Sequence, residues 1–162
     1  MRRLPLVCAL MIGPVCAAEP PPVPYPEGYR QWTHVKSMVI EDGHPLAGAF
    51  GGIHHIYANA QALQGYRNLE AGRGGSPDGA VIVFDLLEAA RGGNALQEGA
   101  RKVVGVMVKD GRKWAATGGW GFEGFKGDSK TERAVGRDAA KACFECHAPQ
   151  KAQDYTFSRW RP

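Results

Sequence analysis

The sequence predicts an α+β fold, an antiparallel β-sheet with a few helices and a short helix near the C-terminus. Three observations lead there. Residues 50–57 alternate in side-chain direction as a strand does. Residues 80–86 form a continuous apolar run with β-branched residues at its centre, the pattern of a buried strand. Asp110-Gly111 separates two apolar stretches, 103–108 and 113–116, as a two-residue hairpin turn would. No internal repeat is visible.

From the N-terminus, residues 1–18 read as a signal peptide. Met1-Arg2-Arg3 gives a basic start, Leu4 to Val15 an apolar middle too short to span a bilayer, and Cys16, Ala17 and Ala18 a small-residue end. Val15 directly ahead of Cys16 does not suit a lipoprotein site, so no lipid anchor is expected. Cleavage would leave 144 of the 162 residues, one domain with a real hydrophobic core, placed in the periplasm with no membrane insertion after processing. It would also remove Cys8 and Cys16, leaving Cys143 and Cys146, and lower the formal charge from +4 to +2 by removing Arg2 and Arg3. No basic cluster is interleaved with aromatic residues, so a nucleic-acid partner has no support.

Residues 19–28 contain five prolines and read as a stiff, poorly ordered leader ahead of a domain spanning 29–162. Residues 31–40 fit neither period cleanly and are expected to be irregular or an edge strand. In 50–57 the alternation places Phe50, Gly52, His54 and Ile56 on one face and Gly51, Ile53, His55 and Tyr57 on the other. Asn59 suits a helix N-cap, 60–71 is rich in helix formers including Leu63 and Tyr66, and Gly72 suits the stop. A Gly, Ser and Pro-rich loop at 73–79 leads into the strand at 80–86. The Asp110-Gly111 hairpin follows, then a strand at 120–125, and Asp138 is positioned to cap a helix running to His147.

That last helix carries Cys143-Phe144-Glu145-Cys146-His147, the spacing of a haem-attachment motif. Residues three apart on a helix share a face, so both sulfurs can reach the two vinyl groups of one porphyrin, and His147 then points at the iron. A redox dithiol would sit early in a β-α-β pattern, and a zinc site would need a second ligand pair that the processed chain lacks in cysteine. One covalent haem c is therefore expected, with His147 as the metal ligand. No methionine or histidine follows His147. The sixth position could be filled only from His34, Met38, His44, His54, His55 or Met107, none of which stands out, and an iron bound by His147 alone is the expectation.

An early Phe50-Gly51-Gly52-Ile53-His54-His55-Ile56-Tyr57, a helix with Tyr66, an aromatic strand with Trp120, the motif at 143–147 and the ending Asp154-Tyr155-Thr156-Phe157-Ser158-Arg159-Trp160 together resemble the cytochrome P-460 family. The resemblance implies a mainly antiparallel fold, a homodimer and five-coordinate haem. It also implies one of two activities: hydroxylamine oxidation, as in cytochromes P-460, or nitric oxide binding, as in cytochromes c′-beta. The oxidising members carry a lysine, in the helix after the first haem-side strand, that bonds to the porphyrin. Here that helix reads Gln64-Gly65-Tyr66-Arg67-Asn68, and no lysine occurs from Ser37 to Arg101. The expectation is thus a c′-beta-like monohaem cytochrome with an open distal site, binding a small gaseous or nitrogenous ligand and meeting a redox partner protein. Oxidase or peroxidase activity is left open, with a six-coordinate electron carrier as the rival. By the same resemblance Phe50 lies near the distal face, although an ordinary core position fits it equally. Glu123 is the candidate distal proton carrier, against a solvated surface glutamate. Arg67 is the candidate for contact with a haem propionate, against an exposed helix arginine.

Overall fold

The computed structural model describes residues 22–162. The signal-peptide reading of 1–18 lies outside the described residues. Five strands form one antiparallel meander in chain order: β1 (Thr33–Ile40), β2 (Gly52–Ala58), β3 (Val81–Gly92), β4 (Ala95–Lys109) and β5 (Trp120–Lys126). A four-residue helix α1 (Ala47–Phe50) precedes β2, α2 (Ala60–Glu70) links β2 to β3, and α3 (Glu145–His147) lies near the C-terminus. The sheet with its few helices is the α+β architecture expected, and within 31–40 the residues Thr33–Ile40 form the edge strand β1, Gln31 ending a 3₁₀ turn. Among the described residues no helix is long and apolar enough to cross a membrane.

The local chemistry of α2 explains its position. Asn59 Oδ1 accepts from the Ala62 amide at 2.9 Å and from the Val81 amide at 3.0 Å, so one side chain caps the helix and ties it to the start of β3. Gly72, with φ 65°, ends the helical segment. The helix buries Ala62, Gly65 and Tyr66.

Register decides what each sheet face carries. Ile56, Phe84, Gly105 and Gly124 lie across four strands from one another, as do Ala58, Ile82, Met107 and Phe122. Cross-strand partners point the same way, so these residues share a face. Ile56, Ala58, Ile82, Trp120 and Phe122 pack there with Ala62 and Tyr66 of α2. On the opposite face Tyr57, Val83, Val104, Val106 and Phe125 are covered by Val23 and Tyr29.

Four expectations need correction. The leader is not loose over its described part: Val23 is 3% exposed, and the Tyr25 ring meets Phe125 edge-on at 5.1 Å. Its prolines bar it from the sheet ladder but leave its apolar side chains free to pack. Phe50 is not on the strand. It ends α1, where the Gly51 amide bonds to Ala47 O, and Gly52 turns the chain into β2 at φ 126°. A Cβ at Gly52 would stand 2.2 Å from Leu87 O.

The Asp110-Gly111 hairpin does not form either. Asp110 Oδ1 accepts from the amides of Arg112 and Lys113 at 3.1 and 3.0 Å, which closes an aspartate-capped turn and puts 113–116 outside any strand. The partner of β4 is β5, reached through a 3₁₀ turn, Ala115–Thr117, and two left-handed glycines, Gly118 and Gly119. The tight hairpin of the chain is Gly93-Asn94, with φ 58° and 60°, between the paired Gly92 and Ala95. Finally, Asp138 closes a 3₁₀ turn, Gly136–Asp138, instead of capping the last helix.

Candidate haem site

The attachment motif is carried on a mixed turn. Ala140–Phe144 is a single π-helical turn and α3 continues it to His147. Cys143 packs against the core cluster of α2 and β5, whereas Cys146 is exposed, and both thiols are free of disulfide. Burial, with the Glu123 charge adding to it, pushes the Cys143 thiol up to about 11. A redox dithiol needs the opposite shift, toward thiolate. Among the described residues no group of three or more His, Cys, Asp or Glu could hold a metal ion by itself.

His147 is the residue that would ligate a haem iron. Its Nδ1 lies 2.6 Å from the backbone carbonyl of Tyr155. A carbonyl only accepts, so Nδ1 carries the proton and the Nε2 lone pair is left for a metal. Burial lowers the imidazole pKa although the carbonyl acts the other way, which keeps the ring neutral, as a ligand must be. Phe122 and Phe157 flank the ring at 5.1 and 4.9 Å between centroids. Two thiols three residues apart with this imidazole are a donor set that fits a c-type haem.

The other site residues divide. Phe50 packs edge-on against Phe84 at 5.7 Å, and Phe84 lies against His54 at 4.7 Å. Phe84 and His54 belong to the sheet face that also carries Phe122 and, through it, His147. Phe50, though off the strand, therefore still joins that face. Arg67 is exposed on α2, its guanidinium 5.1 Å over the Trp160 ring.

Glu123 is fully engaged. Oε1 accepts from the amides of Gly124, Val135 and Gly136 at 2.9, 3.2 and 3.0 Å, and Oε2 accepts from Arg133 at 2.8 Å. Burial alone would raise its pKa, but Arg133 and the three amides outweigh that and hold it below the ordinary value. A carboxylate with both oxygens filled and its proton disfavoured clamps the loop ahead of the attachment turn.

The candidates for a sixth ligand also separate. His34 and His55 both bond to Ser37 Oγ, at 2.9 and 2.6 Å, and His44 Nδ1 accepts from the Leu46 amide. Met38, His54 and Met107 lie by register on the sheet face that carries Phe84 and Phe122. His54 Nδ1 is buried without a partner, and burial takes its pKa down to about 4. Sequence reasoning missed Phe84 and the Tyr155 carbonyl. Phe84 sits in a run that reads as plain core, and a backbone acceptor has no residue-type signature.

The fold and the donor set together define a haem protein of the c type built on a sheet instead of a helical bundle. The cytochrome P-460 family model matches residues 26–158, and the chain belongs to that family, as a c-type cytochrome with haem as its cofactor. Comparison with curated proteins found no match.

Proposed function

We propose that the protein is a periplasmic monohaem cytochrome resembling the c′-beta type. Its single haem c is joined through Cys143 and Cys146 and ligated by His147, and its distal side is open to nitric oxide or a related small nitrogen oxide. The haem supplies the iron that binds the ligand and exchanges electrons. The observation that carries the reading is the His147 geometry, with Nδ1 committed to the Tyr155 carbonyl and Nε2 left over. The absence of lysine from α2 supports binding over hydroxylamine oxidation. The Phe50–Phe84 pair, on the sheet face that His147 adjoins, would give an apolar distal wall that favours neutral ligands over water. A homodimer, implied by the family resemblance, and a redox partner protein complete the proposal.

The electron-carrier reading would need Met38, His54 or Met107 as a sixth ligand, and unpartnered His54 is the first of these to consider. The test is the optical spectrum of the purified reduced protein with and without nitric oxide. A high-spin spectrum that changes on adding nitric oxide is expected. A low-spin six-coordinate spectrum that does not change would replace the proposal with the carrier, and His54→Ala and Met107→Ala would then identify the ligand.

A further inference from the structure

Residues 154–155 hold an uncommon conformation beside the axial histidine. Asp154 and Tyr155 both have positive φ, 51° and 63°. Aspartate visits this region at small cost, but an aromatic residue stays there only where its surroundings impose it.

Those surroundings converge on one carboxylate. Asp154 Oδ2 accepts from the Ser76 amide at 2.7 Å, and Oδ1 accepts from Lys109 Nζ at 2.7 Å and Trp120 Nε1 at 3.3 Å. The Lys109 and Asp154 side chains are only 13% and 9% exposed, so the pair is largely desolvated. Lys109 also donates to Gly118 O at 3.0 Å and lies 4.9 Å over the Trp120 ring. Two glycines leave room for the arrangement: a Cβ at Gly75 would stand 2.4 Å from the Asp154 carboxyl carbon, and one at Gly118 2.2 Å from the Tyr155 ring. The loop after α2, the end of β4 and the start of β5 therefore all hold the same residue. The next residue along, Tyr155, presents its carbonyl 2.6 Å from His147 Nδ1.

We propose that Asp154 is a positioning residue for the axial ligand. Its bonds to Ser76, Lys109 and Trp120 keep 154–155 left-handed and thereby aim the Tyr155 carbonyl at His147. That bond fixes the tautomer and plane of the imidazole and strengthens Nε2 as a donor to iron. Lys109, about 45 residues distant in sequence and without contact to the haem motif, acts on the iron through this chain. The inference rests on the reading of His147 as the haem ligand.

The test uses the holoprotein and two measurements. One is the exchange rate of the His147 Nδ1 proton, seen as a hyperfine-shifted resonance in the oxidised protein with cyanide as sixth ligand. The other is the iron–histidine stretching frequency of the reduced protein. Asp154→Ala and Lys109→Met should speed exchange about tenfold, as for a hydrogen bond that opens more readily, and move the stretch to lower frequency. Tyr66→Phe is the control. It removes the 2.6 Å bond to Ser158 Oγ and loosens the same C-terminal tail without touching 154–155, so both signatures should stay put. Should Asp154→Ala fail to accumulate, Asp154→Asn keeps the size and an amide oxygen for Ser76 while losing the charge that holds Lys109, and a smaller shift in the same direction is expected. Unchanged signatures in the Asp154 and Lys109 variants overturn the inference, as do equal shifts in Tyr66→Phe. A wild-type protein with no histidine signature would instead overturn the ligand assignment of His147.

Discussion

Replacing Glu123 separates a clamp from a proton carrier. The residue is 5% exposed, and three of its four hydrogen bonds tie β5 to the Arg133–Gly136 loop, the fourth coming from the neighbouring Gly124 amide. Removing one partner of a buried charged pair costs about 3–5 kcal/mol. The Arg133 side chain is 34% exposed and rehydrates when released, and the freed amides gain some access to water, so the lower end applies. Glu123→Ala should therefore cost about 3 kcal/mol, a large part of the roughly 5–15 kcal/mol that stabilises a typical domain. Glu123→Gln keeps an oxygen for the amides and loses the charge on Arg133, and about 1–2 kcal/mol is expected. The pH dependence has a definite sign. Because the folded pKa lies below the unfolded one, the contribution is complete above the unfolded glutamate value and is lost as pH falls through the folded value. Urea unfolding of the holoprotein followed by far-ultraviolet circular dichroism, from neutral pH into the acid range, should show the wild type losing this increment and Glu123→Gln lacking it throughout. Variants as stable as wild type, with ligand-dependent turnover sharply reduced, would refute the clamp and restore Glu123 as a distal acid or base.

Three further outcomes are expected. Intact mass should rise by one haem per processed chain, and Cys143→Ala combined with Cys146→Ala should lose all haem under denaturing electrophoresis. Phe50→Ala should speed association of ligands larger than nitric oxide by opening the side of Phe84 that the ring covers, and rates unchanged in a folded variant would return Phe50 to plain packing. Peptide mapping should find haem joined only at Cys143 and Cys146, with hydroxylamine oxidation weak or absent, since α2 offers Arg67 and Asn68 where a nucleophilic amine would be needed. A third attachment, or fast turnover with an artificial electron acceptor, would contradict this.

What could be read from the residues depended on how local its cause is. The α2 helix was legible because its start and stop are set by Asn59 and Gly72 themselves. The β4–β5 connection was not. Asp110-Gly111 has the composition of a tight turn, but the Asp110 side chain captures the next amides, and Trp114 packs where a Cβ at Gly121 would come within 2.3 Å of its ring. That contact belongs to the tertiary structure and has no trace in a window around residue 110. The distal halves of β3 and β4 carry no signal in the sequence for another reason. Their residues, including Glu88, Arg91, Gln97 and Glu98, are mostly exposed, so no apolar period marks them, and only the Gly93-Asn94 turn signals the hairpin.

The site divides along the same line. Cys143, Cys146 and His147 stand out in the sequence because thioether chemistry would fix their spacing within five residues. Glu123 was not, since a carboxylate reads alike whether its oxygens face a ligand or are filled by amides 12 and 13 residues away. Tyr155 meets His147 through its backbone carbonyl, and the residue before it is a largely desolvated aspartate held by a lysine, a tryptophan and an amide from three other parts of the chain. On the proposed reading the motif specifies which histidine would meet the iron, while residues remote from it would set the strength of that bond. If so, two chains with identical attachment motifs would bind a small ligand with different proximal bonds, and Lys109→Met, which alters no residue of the motif, is the substitution that would expose the difference.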